Sequence, residues 1–236
     1  TGPYGGGKSS LAIYLASLFD KDVKLKKFTR EHFQKNITLS ESDILKSKDA
    51  IVLKIVGQKS DPLEDLKELL TKAVQEHKWK KQPPIISSSH NLKSLITSFE
   101  NVFASLNQQN DSLVLIIDEM GKYLEFCSEG TKDLHIFQEL AEAFARSRCS
   151  SLLLGILHQS FGDYARNLDD EVRNNWMKIQ GRYFDIPYSV AIDEVVYLLG
   201  EAIKGRRVTT KEKLMSREIG VEVKEARLGS SKNVSQ

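Results

Sequence analysis

The sequence predicts an α/β fold in which a parallel sheet lies between two layers of helices, and three observations predict it. Two short apolar runs, Leu113 to Ile117 and the stretch around Leu152 to Leu154, read as strands covered on both faces. Segments of helical period separate and flank them. The chain also opens on a glycine turn, "TGPYGGGKSS", that runs straight into a helical pattern.

The turn has the spacing Gly2-x-x-x-x-Gly7-Lys8-Ser9. This is the P-loop pattern, in which successive backbone N–H groups and the following helix N-terminus surround phosphate oxygens. Gly2, Gly5, Gly6 and Gly7 suit it because a Cβ would block both the turn and the approach of phosphate. Pro3 and Tyr4 complete the loop, Lys8 would reach the β- and γ-phosphates, and the Ser9 hydroxyl would hold Mg²⁺. Ser10 packs or caps. A P-loop follows a buried strand, yet only Thr1 precedes Gly2, and the chain has no initiator Met. The first strand is therefore expected upstream, in a longer polypeptide.

Behind the turn, Leu11, Leu15, Leu18 and Phe19 recur at helical spacing, which predicts a helix over 8–19 with its N-terminus toward phosphate. Lys21, Lys24, Lys26, Lys27 and Arg30 form a basic stretch, more often a solvated face than a nucleic-acid contact. "DAIVLKIVG" (49–57) predicts a buried strand ending at Gly57, and Asp61-Pro62 starts a helix to about His77. Pro83-Pro84 breaks the next segment. Asn91 caps a second helix to about Leu106, and "NQQND" ends it.

The segment "SLVLIIDEMGKYLEF" puts two acids where a buried strand emerges. This is the Walker B arrangement: Asp118 would bind Mg²⁺ directly or through water, and Glu119 would act as general base on the attacking water. Helix capping is the competing account of two such acids. It weakens beside a P-loop in the same chain. Lys122, one turn on, pairs with Glu119 or Asp118 to hold the base, or forms an ordinary surface pair.

A helix over 132–147 follows, with Leu134, Phe137, Leu140, Ala141 and Phe144 on one face. "SLLLGILHQS" (151–160) predicts a strand whose polar end offers His158 or Gln159 to the γ-phosphate or the water; a solvated strand end is the alternative for each. Next come a charged helix bearing Arg173, a final strand at about 180–186 with Arg182 near its start, and a stop at Pro187. Ser189 or Asp193 caps a helix closing at Gly200 or Gly205, and "GSSKNVSQ" ends the chain as a polar tail.

Bulk composition narrows the class. The 236 residues are 40% hydrophobic and 28% charged with a net charge of +2, which fits one α/β domain and part of a second. No apolar run is long enough to span a bilayer, and Cys127 and Cys149 lack metal-type spacing, so a cytoplasmic setting is expected. The near-neutral charge gives no overall footprint for nucleic acid.

The helix after the P-loop, the Asp-Glu pair, the polar strand end and the arginine near the last strand together resemble the catalytic-glutamate branch of P-loop ATPases. Within it, the order is similar to AAA+ proteins, including replication-initiator and STAND-like ATPases, over about residues 1–200. The strings "GPYGGGKSSLA", "LIIDEMGKYLEF", "LHQSFGDYA" and "NNWMKIQGRYFDIPY" are similar to the large ATPases of bacterial anti-phage systems of the BREX type. The resemblance implies a P-loop core lacking its first strand over 1–188 and the start of a helical lid with a polar tail over 189–236. It implies that His158 or Gln159 is the sensor residue, and that Arg173 or Arg182 reaches a neighbouring subunit's γ-phosphate; a surface salt bridge is the alternative for each arginine. The chain departs from the family in lacking an asparagine sensor and a matched lid arginine, which leaves the lid's catalytic part open.

The expected function is Mg-dependent ATP binding and hydrolysis that changes contacts between subunits or domains of a larger protein, in phage defence or DNA-associated work. The alternative is a nucleotide-gated scaffold or sensor that hydrolyses little or nothing. A small-molecule kinase is disfavoured by Glu119 beside Asp118, which suits water as nucleophile, and a GTPase by the absence of an Asn-Lys-x-Asp string. Self-association and DNA contacts through other regions are expected partners; a membrane is not.

Overall fold

The computed structural model describes residues 1–2, 6–19, 22–36, 49–129, 134–159, 163 and 170–188. These lie in the first of the two units into which the chain divides, Thr1–Ser189. The expected lid and tail over 189–236 lie outside the described residues, as do Pro3, Tyr4, Gly5, Lys21 and Ser160.

Three parallel strands form the sheet: β1 (Ala50–Val56), β2 (Ser112–Asp118) and β3 (Ser151–Gly155), in the order β1-β2-β3. The register sets Val56 opposite Asp118 and Ile117 opposite Gly155, so the carboxyl ends of all three strands share one rim. Seven helices accompany them among the described residues: α1 (Lys8–Ser17), α2 (Val23–Asn36), α3 (Pro62–Glu76), α4 (Leu92–Gln109), α5 (Met120–Glu129), α6 (His135–Arg146) and α7 (Asp170–Gln180). None is long and apolar enough to cross a membrane.

The central strand shows why its apolar run is unbroken. Leu113, Leu115 and Ile117 point into one core with residues of α3, α4, α5, α6 and α7, while Val114 and Ile116 point into another with Ala12 and Ala16 of α1. A strand covered on both faces needs apolar side chains at every position. Each fully buried Leu or Ile contributes about 1.5–3 kcal/mol relative to exposure. The expected layering of helices on both faces is present.

Helix boundaries follow local chemistry. The Asp61 carboxylate accepts from Leu63 N–H at 3.0 Å with Pro62 in the first turn, and Asn91 with Ser94 forms a reciprocal capping box. Asn110 ends α4 in the left-handed region at φ 60°, a conformation asparagine tolerates. In α1 the buried stripe is Lys8, Ala12 and Ala16, followed by Leu18 and Phe19, whereas Leu11 is 41% exposed. The expected face holds at Leu18 and Phe19, with Leu15 packed against the same cluster, and is corrected at Leu11: α1 meets the sheet through Ala12 and Ala16. In the basic stretch Lys24 and Lys27 are exposed, whereas the Arg30 Nε–H folds back to the Leu18 carbonyl at 2.8 Å.

Two expected strands change. The strand over 151–160 ends at Gly155, after which the chain leaves the sheet through Ile156. The strand expected at 180–186 is not formed: α7 runs to Gln180, a turn holds Gly181 and Arg182, and 184–188 takes no regular secondary structure, its backbone bonds among the described residues running to Thr1. A ladder needs a partner along its length, and here one residue supplies it.

Candidate functional site

The sheet rim is built from backbone first. Gly57 N–H donates to the Asp118 carbonyl at 2.6 Å, Ile156 N–H to the Ile117 carbonyl at 2.9 Å and Met120 N–H to the Ile156 carbonyl at 3.0 Å. The turn after β2 is thus stitched to the ends of both neighbouring strands. Within it Glu119 takes φ 51°, in the left-handed region, and its N–H donates to Asp118 Oδ1 at 2.9 Å. A glutamate in that region is strained, and such strain persists only where the surroundings enforce it, most often at functional sites.

That conformation sets the Glu119 carboxylate between two cationic or titratable side chains. Lys122 forms an ion pair with it, and His158 Nε2 stands 3.5 Å from Oε1. The Lys122 hydrogen bond holds the Glu119 carboxyl below the usual range, with His158 adding to the effect and desolvation opposing it. His158 is half-buried and Gln159 is exposed, so of the two sensor candidates only His158 meets the acid pair.

At the start of α1, Gly7 takes φ 83° and no side chain caps the helix. The Lys8 Nζ donates to the Gly2 carbonyl at 2.6 Å, and Lys8 is 8% exposed despite its charge. Ser9 and Ser10 face solvent. Lys8 lines one slot with Met120, Gly155, Ile156 and Leu157, residues flanking Glu119 and His158. The start of α1 therefore lies near the chain just after Glu119 and just before His158.

Of the two arginines, Arg182 lines the same slot as Lys8. Arg173 is on an exposed face of α7. Arg182 Nη2 pairs with Glu142 Oε1 of α6 at 3.1 Å, the surface salt bridge that was its alternative. Its expected place near the start of a strand is corrected to the turn after α7.

Sequence reasoning missed three supports. Gly57 reads as a strand end, yet a Cβ there would strike the Glu119 carbonyl oxygen and stand 3.3 Å from the Asp118 oxygen. Tyr188 backs the glycine turn, its Oη 3.7 Å from where a Gly7 Cβ would be. Ser60 and Tyr123 hydroxyls both donate to Asp65 Oδ2, at 2.5 and 2.7 Å, fastening α5 to α3 behind the rim. Burial, reinforced by Asp65, drives the Tyr123 phenol well above its ordinary range. The Gly57→Ala variant should lose about 1–3 kcal/mol of unfolding free energy, because its neighbours are backbone that cannot rotate aside. Urea denaturation checks this, and an unchanged midpoint would contradict the close approach.

The oxygen donors here suit a hard divalent cation. Mg²⁺ takes one or two protein ligands and draws the rest from phosphate and water, which matches a half-buried Asp118 carboxylate and an exposed Ser9 hydroxyl. No group of three or more His, Cys, Asp or Glu that could hold a metal by itself occurs among the described residues. No family model matches the chain, and no curated protein or solved structure matches it.

Proposed function

We propose that this unit binds Mg·ATP at the rim and hydrolyses it, with the energy directed to conformational or assembly changes in a larger protein. The strained Glu119 carries the reading: a carboxylate held by backbone geometry beside His158, in a turn whose next residue, Met120, lines one slot with Lys8. Strain of this kind is maintained where a side chain must be aimed.

The roles follow from chemistry. Backbone N–H groups around Gly6, Gly7 and Lys8 receive the phosphates at the start of α1. Lys8 exchanges the Gly2 carbonyl for phosphate oxygens. Ser9 and Asp118 would hold Mg²⁺, which would supply charge neutralisation at the transferred phosphoryl group. Glu119 accepts a proton from the attacking water once that water displaces Lys122 from a carboxylate oxygen. His158 orients the carboxylate from its other side. An arginine acting on a neighbour's phosphate requires Arg173, or Arg182 after release from Glu142.

A second reading rests on Lys122. Its ion pair occupies the carboxylate that must receive the proton, and a unit that kept this pair in the nucleotide complex would be an ATP-gated scaffold rather than a hydrolase. Calorimetric titration with Mg·ATP tests the reading common to both. Lys8→Ala should weaken affinity by about 10–100-fold, the loss of a charged hydrogen bond to phosphate. A wild-type protein that fails to bind Mg·ATP at millimolar concentration, or a variant with unchanged affinity, would refute both.

A further inference from the structure

At the end of the sheet opposite the acid pair, where β2 and β3 begin, the chain gathers cations that the rim chemistry does not use. α3, α4 and α6 end at Glu76, Gln109 and Arg146. The segments following α3 and α6 carry Lys78, Lys80, Lys81 and Arg148, all exposed. Part of this charge serves the frame. Lys80 Nζ donates to the Gln109 carbonyl at 3.0 Å, at the end of α4, where a cation meets the negative end of the helix dipole. Arg146 Nη1 stands 3.7 Å from Glu142 Oε2, one turn back on α6. Both side chains are exposed or half-buried, so that pair is weak.

Two recesses open beside these cations. The first, of about 490 Å³, is lined by His77, Trp79, Pro84, Ile86 and Lys81 among others. Its indole is fixed in place: Trp79 Nε1 donates to the Val74 carbonyl at 2.8 Å, and the His77 ring meets it edge-on with centroids 4.7 Å apart. The second recess, of about 370 Å³, lies between α4 and α6 and is lined by Phe103, Ala143, Gln108, Arg146 and Arg148 among others. Lys81 joins the two, for it lines the first while its Nζ donates to Oε1 of Gln108 in the second at 3.2 Å. Glu100 is the acid among the residues lining the two recesses, against the cations Lys81, Arg146 and Arg148. Apolar or aromatic surface thus alternates with positive charge across this face.

We propose that this face binds single-stranded nucleic acid, with one base against Trp79 in the first recess, a neighbouring base over the second, and phosphates on Lys81, Arg146 and Arg148. An aromatic wall takes the face of any base and cations take the phosphates, a combination that holds a single strand without reading its sequence. Arginine guanidinium planes stack on bases as well. A duplex keeps its bases inside the helix and leaves both recesses unfilled. An acidic peptide supplies charge for the cations but needs no planar wall. The seven residues of β2, at about 3.3 Å each, put this face about 20 Å from the acid pair. Strand and nucleotide therefore occupy separate sites, and the inference stands whatever binds at the rim.

The test follows a fluorescein-labelled oligothymidylate of twelve nucleotides by anisotropy, with no ATP present. At low salt it should bind with a Kd of about 1–100 μM, and log Kd should rise with log salt at a slope of about 2, the value for three neutralised phosphates of a single strand. The exposed double variant Lys81→Glu with Arg148→Glu should bind at least about tenfold more weakly, with the slope reduced to about 0.7. Reversing Lys24 and Lys27 of α2 removes the same charge elsewhere and should change Kd by less than about threefold. The wild type supplies a readout that needs no variant to fold. The chain has two tryptophans, and Trp176 is 1% exposed, so the oligonucleotide should quench the Trp79 emission in step with the anisotropy. Absence of binding at about 1 mM, binding without quenching, or equal losses in the two double variants overturns the proposal. Inorganic polyphosphate that binds and quenches as well as the oligonucleotide overturns it in favour of charge alone, and a duplex that binds as tightly overturns the single-strand assignment.

Discussion

The Glu119→Gln variant should turn over ATP about 10²–10⁴-fold more slowly than the wild type, the range that one general base supplies. Its affinity for Mg·ATP should be retained or tightened. The substitution keeps the shape of the side chain and an oxygen that can accept from Lys122. It removes the capacity to take a proton from water. The left-handed turn survives because backbone bonds hold it, Gly57 to Asp118 and Met120 to Ile156, and neither involves the altered group. Phosphate release measured beside calorimetric binding separates the outcomes. Slow release with full binding supports water activation by Glu119. Unchanged release shows that another group takes the proton. A wild type that binds but barely hydrolyses, with Glu119→Gln indistinguishable from it, supports the scaffold reading, in which Lys122 never leaves the carboxylate.

Much of the frame was legible in the sequence because its signals are local. β2 announces itself through five successive apolar residues, and Asp61-Pro62 and Asn91 mark helix starts through capping chemistry that needs no tertiary partner. The acids at the end of β2 are legible for the same reason: a buried strand followed by charge must surface there. What was hidden depends on partners far apart in sequence. Leu11 reads as core by period, but α1 approaches the sheet through Ala12 and Ala16, and periodicity does not reveal how close two layers come. Residues 180–186 read as a strand, yet strand formation also requires a neighbour to bond. His158 was separable from Gln159 only through the turn that follows Gly155, which half-buries one and exposes the other. Gly57 could be placed at the strand end, while its role as the gap that admits the Glu119 carbonyl needed coordinates.

Phe99→Ala should cost about 3–5 kcal/mol of unfolding free energy, the usual price of deleting a fully buried aromatic ring. Phe99 is 0% exposed at the centre of α4 and lies against Phe103 and Phe144, with ring centroids 6.2 and 6.0 Å away. Phe144 belongs to α6, so the ring joins two helices that cover one face of the sheet, in the same core as Leu113, Leu115 and Ile117. A cavity left there has α4, α6 and β2 for walls, and such tightly packed elements relax only partly. Urea denaturation followed by far-ultraviolet circular dichroism reads the loss as a lower midpoint at unchanged slope. A loss below about 1 kcal/mol would mean that α4 and α6 do not share this core. The same variant also isolates the rim chemistry from the frame that carries it. Its strand ends are held by backbone bonds among Gly57, Asp118, Met120 and Ile156, none of which the ring touches through those atoms. Well below its midpoint the Phe99→Ala protein should therefore bind Mg·ATP as the wild type does, whereas Glu119→Gln should lose turnover without losing stability on this scale. Two variants that trade these signatures would place the proton acceptor somewhere other than the strained turn.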